Sequence, residues 1–295
     1  MQSHTTRLTA LSLALTAALG CNRNNDSVGR EAAQQATQHV TRASGMVDNL
    51  LDGLKTGLSH AETVVGAAMV APVDAARVRN RLLDLGDDHN AVGRELSFFP
   101  TYFVIAVGPD GRAIAANRTV ANDWSPGLDV GAAFACVGAA LSGAAGTCAG
   151  TMPTRPGELV RNYAVAAVPL RAEAGGPVLG ALVGAYSFGG LAKAVRVALD
   201  NETQRARVQL AVGIWNGTRV VPSGNDNDVQ QMYLVPQALV AALPPDVGAR
   251  VASARPSTFT FSQNDGAMQW GGAIGQTPRL GAATGLIVYR APLRQ

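Results

Sequence analysis

The stretch YFVIAVGPDGRAIAAN, residues 102–117, places two apolar runs on either side of Pro109-Asp110-Gly111. Proline presets φ at the first corner of a turn, and glycine accepts the positive φ that follows. The stretch therefore predicts a β-hairpin, and what comes after it decides which sheet the hairpin opens. After a loop, AAFACVGAALSG (132–143) reads as a short helix. Three strand candidates follow at 147–152, 159–170 and 178–188, the last two joined across RAEAGGP. Small and β-branched residues fill the two longer strands, as a buried sheet requires.

The same order then returns. GLAKAVRVALDNETQRAR (190–207) reads as a connecting helix. QLAVGIWNGTRVVPSG (209–224) is a hairpin with Asn216-Gly217, a strong hairpin signal, at its turn. PQALVAAL (236–243) is a short helix entered through proline, STFTFSQNDGAMQWGGAIG (257–275) a hairpin around Asn264-Asp265-Gly266, and GLIVYRA (285–291) a last strand. Hairpin, helix and three strands recur with different residues, which argues for two copies of one supersecondary unit. Trp215 and Trp270 lie beside glycines in the second copy and are expected to pack its core. Upstream, residues 27–70 are helical in character. Val47, Leu51, Leu54, Leu58, Ala61, Val65 and Ala68 recur there at alternating spacings of four and three. That stripe suits either a dimer seam or a long helix laid on its own domain. Pro72 ends the helix, and a second helical stretch covers 73–85.

These motifs in this order resemble the extracytoplasmic Cache domains, whose sheets are PAS-like. The resemblance rests on the long leading helix, the Pro109-Asp110-Gly111 turn, Gly127-Leu128-Asp129, Val168-Pro169-Leu170 and Gly180-Ala181-Leu182-Val183-Gly184. It covers about residues 26–205, while 207–295 share only the element order, like the membrane-proximal half of a double Cache module. It implies an α+β fold, a long N-terminal helix followed by two PAS-like domains with antiparallel sheets. The segments are a tether and long helix over 21–70, a first domain over 71–190, a connecting helix over 191–206 and a smaller second domain over 207–295.

The resemblance also implies a sensory, ligand-binding role, with the pocket on the concave face of the first sheet. The large side chains that could reach a ligand there are Arg118, Trp124, Asp129, Phe134, Tyr163 and Tyr186. An arginine forks onto a carboxylate and a tryptophan stacks on an organic body. Tyr163 and Tyr186 are expected to face the same concavity, and Arg161 to face solvent. Core or edge packing is the plain alternative for each aromatic, and Asp129 equally suits the first turn of a helix. The amino-acid-binding form of the family sets an arginine and aromatics in the loop and helix and an aspartate on the last strand. Here Ala132, Ala133 and Phe134 stand in the first region and Ala185 near the second, so a ligand of that kind is not expected.

The N-terminus gives the address. Arg7 precedes an apolar run from Leu8 to Leu19, the pattern of a secretory signal over 1–20 and too short for a comfortable membrane span. Ala18-Leu19-Gly20-Cys21 resembles the lipobox of bacterial lipoproteins, which implies lipidation at Cys21; the alternative is an ordinary signal that happens to contain a cysteine. Asn22 after the cysteine favours the periplasmic face of the outer membrane over inner-membrane retention. Removing residues 1–20 takes away Arg7 and leaves 23 basic against 21 acidic residues. A net charge this small gives no electrostatic case for nucleic acid, despite a sequence pI near 9.0. Cys136 and Cys148, twelve residues apart in an oxidising compartment, are expected to form a local disulfide, with two buried thiols as the alternative.

No catalytic constellation emerges. The histidines are His4, His39, His60 and His89, outside both sheets, so a Ser-His-Asp site has no base near a nucleophile. No His/Cys/Asp cluster has metal-ligand spacing, and GGAIGQTP does not open a helix as a phosphate loop does. The expectation is a lipid-anchored sensor without catalysis, metal or cofactor. It would take a small molecule and signal to a separate partner protein or through a homodimer along the long helix. The alternative is a structural or adaptor lipoprotein that uses the same fold as an interaction surface.

Overall fold

The computed structural model describes residues 5–85, 103–117, 126–153, 160–203, 208–223, 237–263 and 268–292, with side chains of the first helix from residue 27. Helix α1 (Thr5–Ala68) is continuous over 64 residues, and α2 (Ala75–Asp84) turns back beside its end. The α1 segment contains no proline. It stops before Pro72, where the Arg77 guanidinium donates to the carbonyls of Ala68 (3.1 Å), Val70 (3.2 Å) and Pro72 (3.4 Å). Those carbonyls have no partner within the helix, so Arg77 serves as its cap. The side chain of Asp74 starts α2 by accepting from the Ala76 amide at 2.9 Å.

The first sheet contains β1 (Phe103–Val107), β2 (Ala113–Ala116), β3 (Gly146–Met152), β4 (Arg161–Leu170) and β5 (Gly180–Ser187), in the spatial order β2-β1-β5-β4-β3. Helices α3 (Val130–Ala133) and α4 (Ala135–Leu141) lie between β2 and β3 in the chain. Helix α5 (Phe188–Thr203) then leads to the second sheet, with β6 (Val208–Trp215), β7 (Val220–Pro222), β8 (Ser257–Gln263), β9 (Met268–Gln276) and β10 (Gly285–Pro292). Its order is β7-β6-β10-β9-β8, the same permutation as the first. Short helices α6 (Gln237–Ala241) and α7 (Val247–Val251) stand in the chain where α3 and α4 stand in the first copy. All pairings are antiparallel. The repeat expected from element order is thus a repeat of topology.

Both hairpin turns expected at the start of each copy are present. Gly111 takes φ 80° and its amide donates to the Gly108 carbonyl at 3.0 Å. Asn216 Oδ1 accepts from the amides of Thr218 (3.1 Å) and Arg219 (2.9 Å), the turn chemistry that favours asparagine there. The Asn264-Asp265-Gly266 turn lies outside the described residues. The helix expected over 132–143 is instead two pieces, because Phe134 adopts an extended conformation (φ −137°, ψ 110°) between α3 and α4.

Helix α1 is the common floor of both sheets. Its N-terminal part crosses the second sheet, where a Cβ on Gly271 would run into the Ala33 backbone and Ser44 donates to the Gln276 carbonyl at 3.2 Å. Its C-terminal part crosses the first sheet, with Leu54 and Leu58 against Gly184. Val47, Leu51, Leu54, Leu58, Ala61, Val65 and Ala68 are all buried within the chain, in one apolar cluster with Ala164, Ala166 and Val168 of β4 and Val212 and Val288 of the second sheet. This corrects the dimer-seam expectation: the heptad stripe is used up on the chain's own sheets and leaves no homodimer surface along that face. Among the described residues, no helix is long and apolar enough to cross a membrane.

Candidate ligand-binding face

The strand alternation divides the first sheet's side chains between two layers. Residues 164, 166, 168 and 170 of β4 face α1, whereas 163, 165 and 167 face α3 and α4. The second layer holds Phe103, Ile105 and Val107 of β1, Met152 of β3, Tyr163 of β4, Ala181, Val183 and Ala185 of β5, and Phe134 between the short helices. Tyr163 sits between two rings, with centroids 5.2 Å from Phe103 and 6.3 Å from Phe134, both edge-on. Edge-to-face contact suits aromatic quadrupoles and fixes the three rings as a unit. A Cβ on Gly150 would run into the Phe134 ring and the Ala133 carbonyl, so glycine in β3 is what admits this ring onto the sheet. The Cys136–Cys148 disulfide ties α4 to β3 beside it, with Cα atoms 5.6 Å apart.

The sequence-derived candidates separate on this geometry. Phe134 and Tyr163 belong to the face and are fully buried. Asp129 caps α3, accepting from the Ala132 amide at 2.9 Å, and is exposed at the rim. Tyr186 is a correction. In the register Ala164 pairs with Tyr186 and Tyr163 with Ser187, so Tyr186 points to the opposite layer, against α1 and α5. Its hydroxyl is buried without a hydrogen-bond partner, and burial pushes its titration well above the usual tyrosine range. Arg161 is a second correction, since a spacing of two puts it on the face of Tyr163, where it is half-buried rather than solvent-facing. Arg118 and Trp124 lie outside the described residues. The sequence reading missed Phe103 and Met152, although alternation from the opening hairpin would have found Phe103.

Among the described residues, the buried side chains of this layer are uncharged. Ala185, which pairs with Phe103 and Val165, brings no carboxylate to the last strand. The described residues contain no cluster of three or more His, Cys, Asp or Glu able to hold a metal. What the face offers is an aromatic, apolar surface with one phenol.

Polar contacts join the two halves beside the shared apolar cluster. Asn216 of the second hairpin donates through Nδ2 to Asn162 Oδ1 at 3.0 Å, one residue before Tyr163. Arg279, in a short 3-10 turn after β9, reaches α1 with Nη1 2.6 Å from Asp52 and Nε 3.7 Å from Asp48. Burial holds the Asp48 carboxyl above its usual value against the pull of Arg279. A hydrogen bond from Lys55, aided by Arg279, holds Asp52 below its own.

No protein-family profile and no curated protein matches the sequence. Solved structures do. The sensory domain of the Campylobacter jejuni chemoreceptor Tlp3, solved with isoleucine bound, superposes with a TM-score of 0.52 at 10% identity over 90% of this chain and 94% of its own. The sensor domain of the Vibrio cholerae histidine kinase DctB gives 0.50 at 13% identity over 90% and 98%. A domain of a putative sensory box/GGDEF family protein from Vibrio parahaemolyticus gives 0.51 at 12% identity over 89% and 97%. At these identities the likeness is one of fold. The chain has the double-Cache fold, a long helix followed by two PAS-like antiparallel sheets, as the motif order implied.

Proposed function

We propose that the protein is a lipid-anchored, extracytoplasmic small-molecule sensor that takes its ligand on the Phe103–Tyr163–Phe134 face and signals through a partner protein. The observation that carries the reading is that this aromatic face lies one residue from the Asn162–Asn216 bond to the second sheet. A ligand that shifts Tyr163 thereby acts on the second domain through a short path. The described lining has no buried charge, which favours a ligand with an apolar or aromatic body over an amino acid held by its ammonium group. Arg118 and Trp124 are the proposed source of any carboxylate or stacking contact at the rim.

Lipidation at Cys21 sets the orientation. At about 1.5 Å per residue, the Ala33–Gly271 contact stands about 18 Å along the helix from Cys21, and the Gly66–Arg171 contact about 50 Å further. The second domain is then membrane-proximal and the ligand face distal, on the periplasmic side of the outer membrane. Cys21→Ser should release the protein into the soluble envelope fraction.

A thermal-shift screen of the purified protein against carboxylates, amines, purines, sugars and small aromatics tests the sensor reading. A ligand at 100 times its dissociation constant adds about 2.7 kcal/mol. That corresponds to a rise of roughly 5 °C or more in a chain of this size. The rise should vanish in Arg118→Ala or Trp124→Ala and shrink in Tyr163→Phe. One observation favours the adaptor reading: the described part of the face is closed, with Phe134 seated on Gly150 and Tyr163 fully buried. A flat screen together with capture of a partner by the wild-type surface would establish that second reading.

A further inference from the structure

The shared permutation lets the two sheets be matched residue by residue. Phe103 stands as far before Val107, the end of β1, as Ala211 stands before Trp215, the end of β6. Each pairs with the last strand of its own sheet, Phe103 with Ala185 of β5 and Ala211 with Tyr289 of β10. The second copy therefore carries its ring on the last strand and puts alanine where the first copy has phenylalanine. On the other side of Tyr289 the partner is Gly272, in the place of Val165. The Phe259 ring covers Gly272, since a Cβ there would run into it. Over Ala211 the strand presents only a methyl.

Tyr289 is fully buried in the layer that faces α6 and α7, together with Leu239, Val247 and Val251. Its hydroxyl has no hydrogen-bond partner. Burial pushes its titration above the usual tyrosine range, so it stays a neutral phenol that both donates and accepts. A hydroxyl left unpaired in an apolar layer is costly, and buried groups of this kind are nearly always met by protein, water or ligand. The side chains packed around it are apolar, so a lone water would lack the further polar partners that hold buried water in place. The walls are aromatic. Phe259 and Phe261 cross the Tyr289 ring at 88°, with centroids 5.8 and 6.2 Å away, and Phe261 stacks on Trp270 at 6.1 Å. Ser257, on the Phe259 face of β8, carries a second buried hydroxyl without a partner.

We propose that the second domain has a ligand site of its own over Ala211, on the α6–α7 side of its sheet, which takes a small neutral aromatic molecule and receives that molecule's oxygen on the Tyr289 hydroxyl. The ligand's ring would stand where the Phe103 ring stands in the first copy. The site is separate from the Phe103–Tyr163–Phe134 face and does not depend on it.

Calorimetric titration of the full chain carrying Cys21→Ser tests the site with acetophenone, toluene and benzoate. Acetophenone should bind saturably. Toluene should bind about tenfold more weakly for want of the hydrogen bond. Benzoate should not bind, because its charge would be buried without a partner. Tyr289→Phe should weaken acetophenone about tenfold, to the toluene level, and leave toluene unchanged. Its ligand-free melting temperature should be the same as the wild type's or higher. Ala211→Phe should restore the ring of the first copy and abolish binding of both neutral probes. Tyr163→Phe should leave all three titrations as they were, which separates this site from the first-domain face. A wild-type protein that does not bind acetophenone overturns the proposal. So does acetophenone binding that falls in Tyr163→Phe but not in Tyr289→Phe. A lower melting temperature in Tyr289→Phe with unchanged affinity would assign the hydroxyl to a buried water only, and overturns it as well.

Discussion

Leu58 and Gly184 share one space between α1 and the first sheet, and that sharing is open to a double-mutant cycle. Leu58 is fully buried, so Leu58→Ala should cost about 3 kcal/mol, within the roughly 2–5 kcal/mol seen for such truncations. Gly184→Ala acts in the opposite sense. A Cβ there would stand 2.9 Å from Leu54 Cδ1 and 3.1 and 3.3 Å from the two Leu58 methyls, which forces both leucines to give way. Overpacking of that size costs about 1–3 kcal/mol. In the double variant the new methyl enters the cavity that Leu58 has vacated. The combined loss should be smaller than the sum by at least about 1 kcal/mol. Thermal melts of the four proteins provide the readout, with about 2–4 °C per kcal/mol expected for a large domain. The Leu58→Ala decrement should be the same at low and high protein concentration. Additivity to within about 0.5 kcal/mol would refute the shared space. A decrement that grows on dilution would return the stripe to a dimer seam.

The two aspartates facing Arg279 should move stability in opposite directions with pH. Burial raises the Asp48 carboxyl, so the folded state holds its proton more tightly than the unfolded chain. Its contribution is complete below the ordinary value of 3.8 and declines as pH rises through the native one. Asp48→Asn should therefore remove that decline and leave the protein at least as stable at pH 7. Asp52, lowered by Lys55 and Arg279, contributes above 3.8 and loses its contribution as pH falls. Asp52→Asn should weaken the protein at pH 7 and flatten its acid limb, both measurable by urea titration across pH. Replacing Cys136 and Cys148 by serine opens a loop closed over twelve residues and should cost about 3 kcal/mol. A melt unchanged by that pair of substitutions would show that the loop is held by packing instead.

Much of this fold was legible because its signals are local. The Pro109-Asp110-Gly111 and Asn216-Gly217 turns, the order of elements in each half and the Cys136–Cys148 pair depend on neighbours a few residues away. What depended on phase between strands was not. Alternation orders residues within β4 and within β5, but only the register between them puts Tyr186 behind Tyr163 instead of beside it. The heptad stripe posed the same difficulty, because a helix partner and a flat sheet ask for the same spacing on α1. The residues that decide the matter are the glycines opposite it, Gly184 and Gly271, whose missing side chains let the helix settle on strands. Phe134 breaks its helix to reach the groove over Gly150, a tertiary contact overriding a run of good helix formers.

The shared floor has a consequence for how the chain is made. Ser44 meets its partner Gln276 across 232 residues of sequence. Strand β10, the last of the described strands, is also the middle one of its sheet. During synthesis, the apolar stripe from Ala33 to Val47 therefore waits uncovered until β9 and β10 have emerged. The second sheet has no stable half-built form, since without β10 its two hairpins share no edge. Closing so long a loop is slow, and the exposed stripe is sticky in the meantime. The first domain can mature early on its own stretch of helix, whereas the second is an all-or-none event that waits for β10. A stop or a proteolytic nick shortly before Gly285 would leave an intact first domain carried on a bare, aggregation-prone stalk.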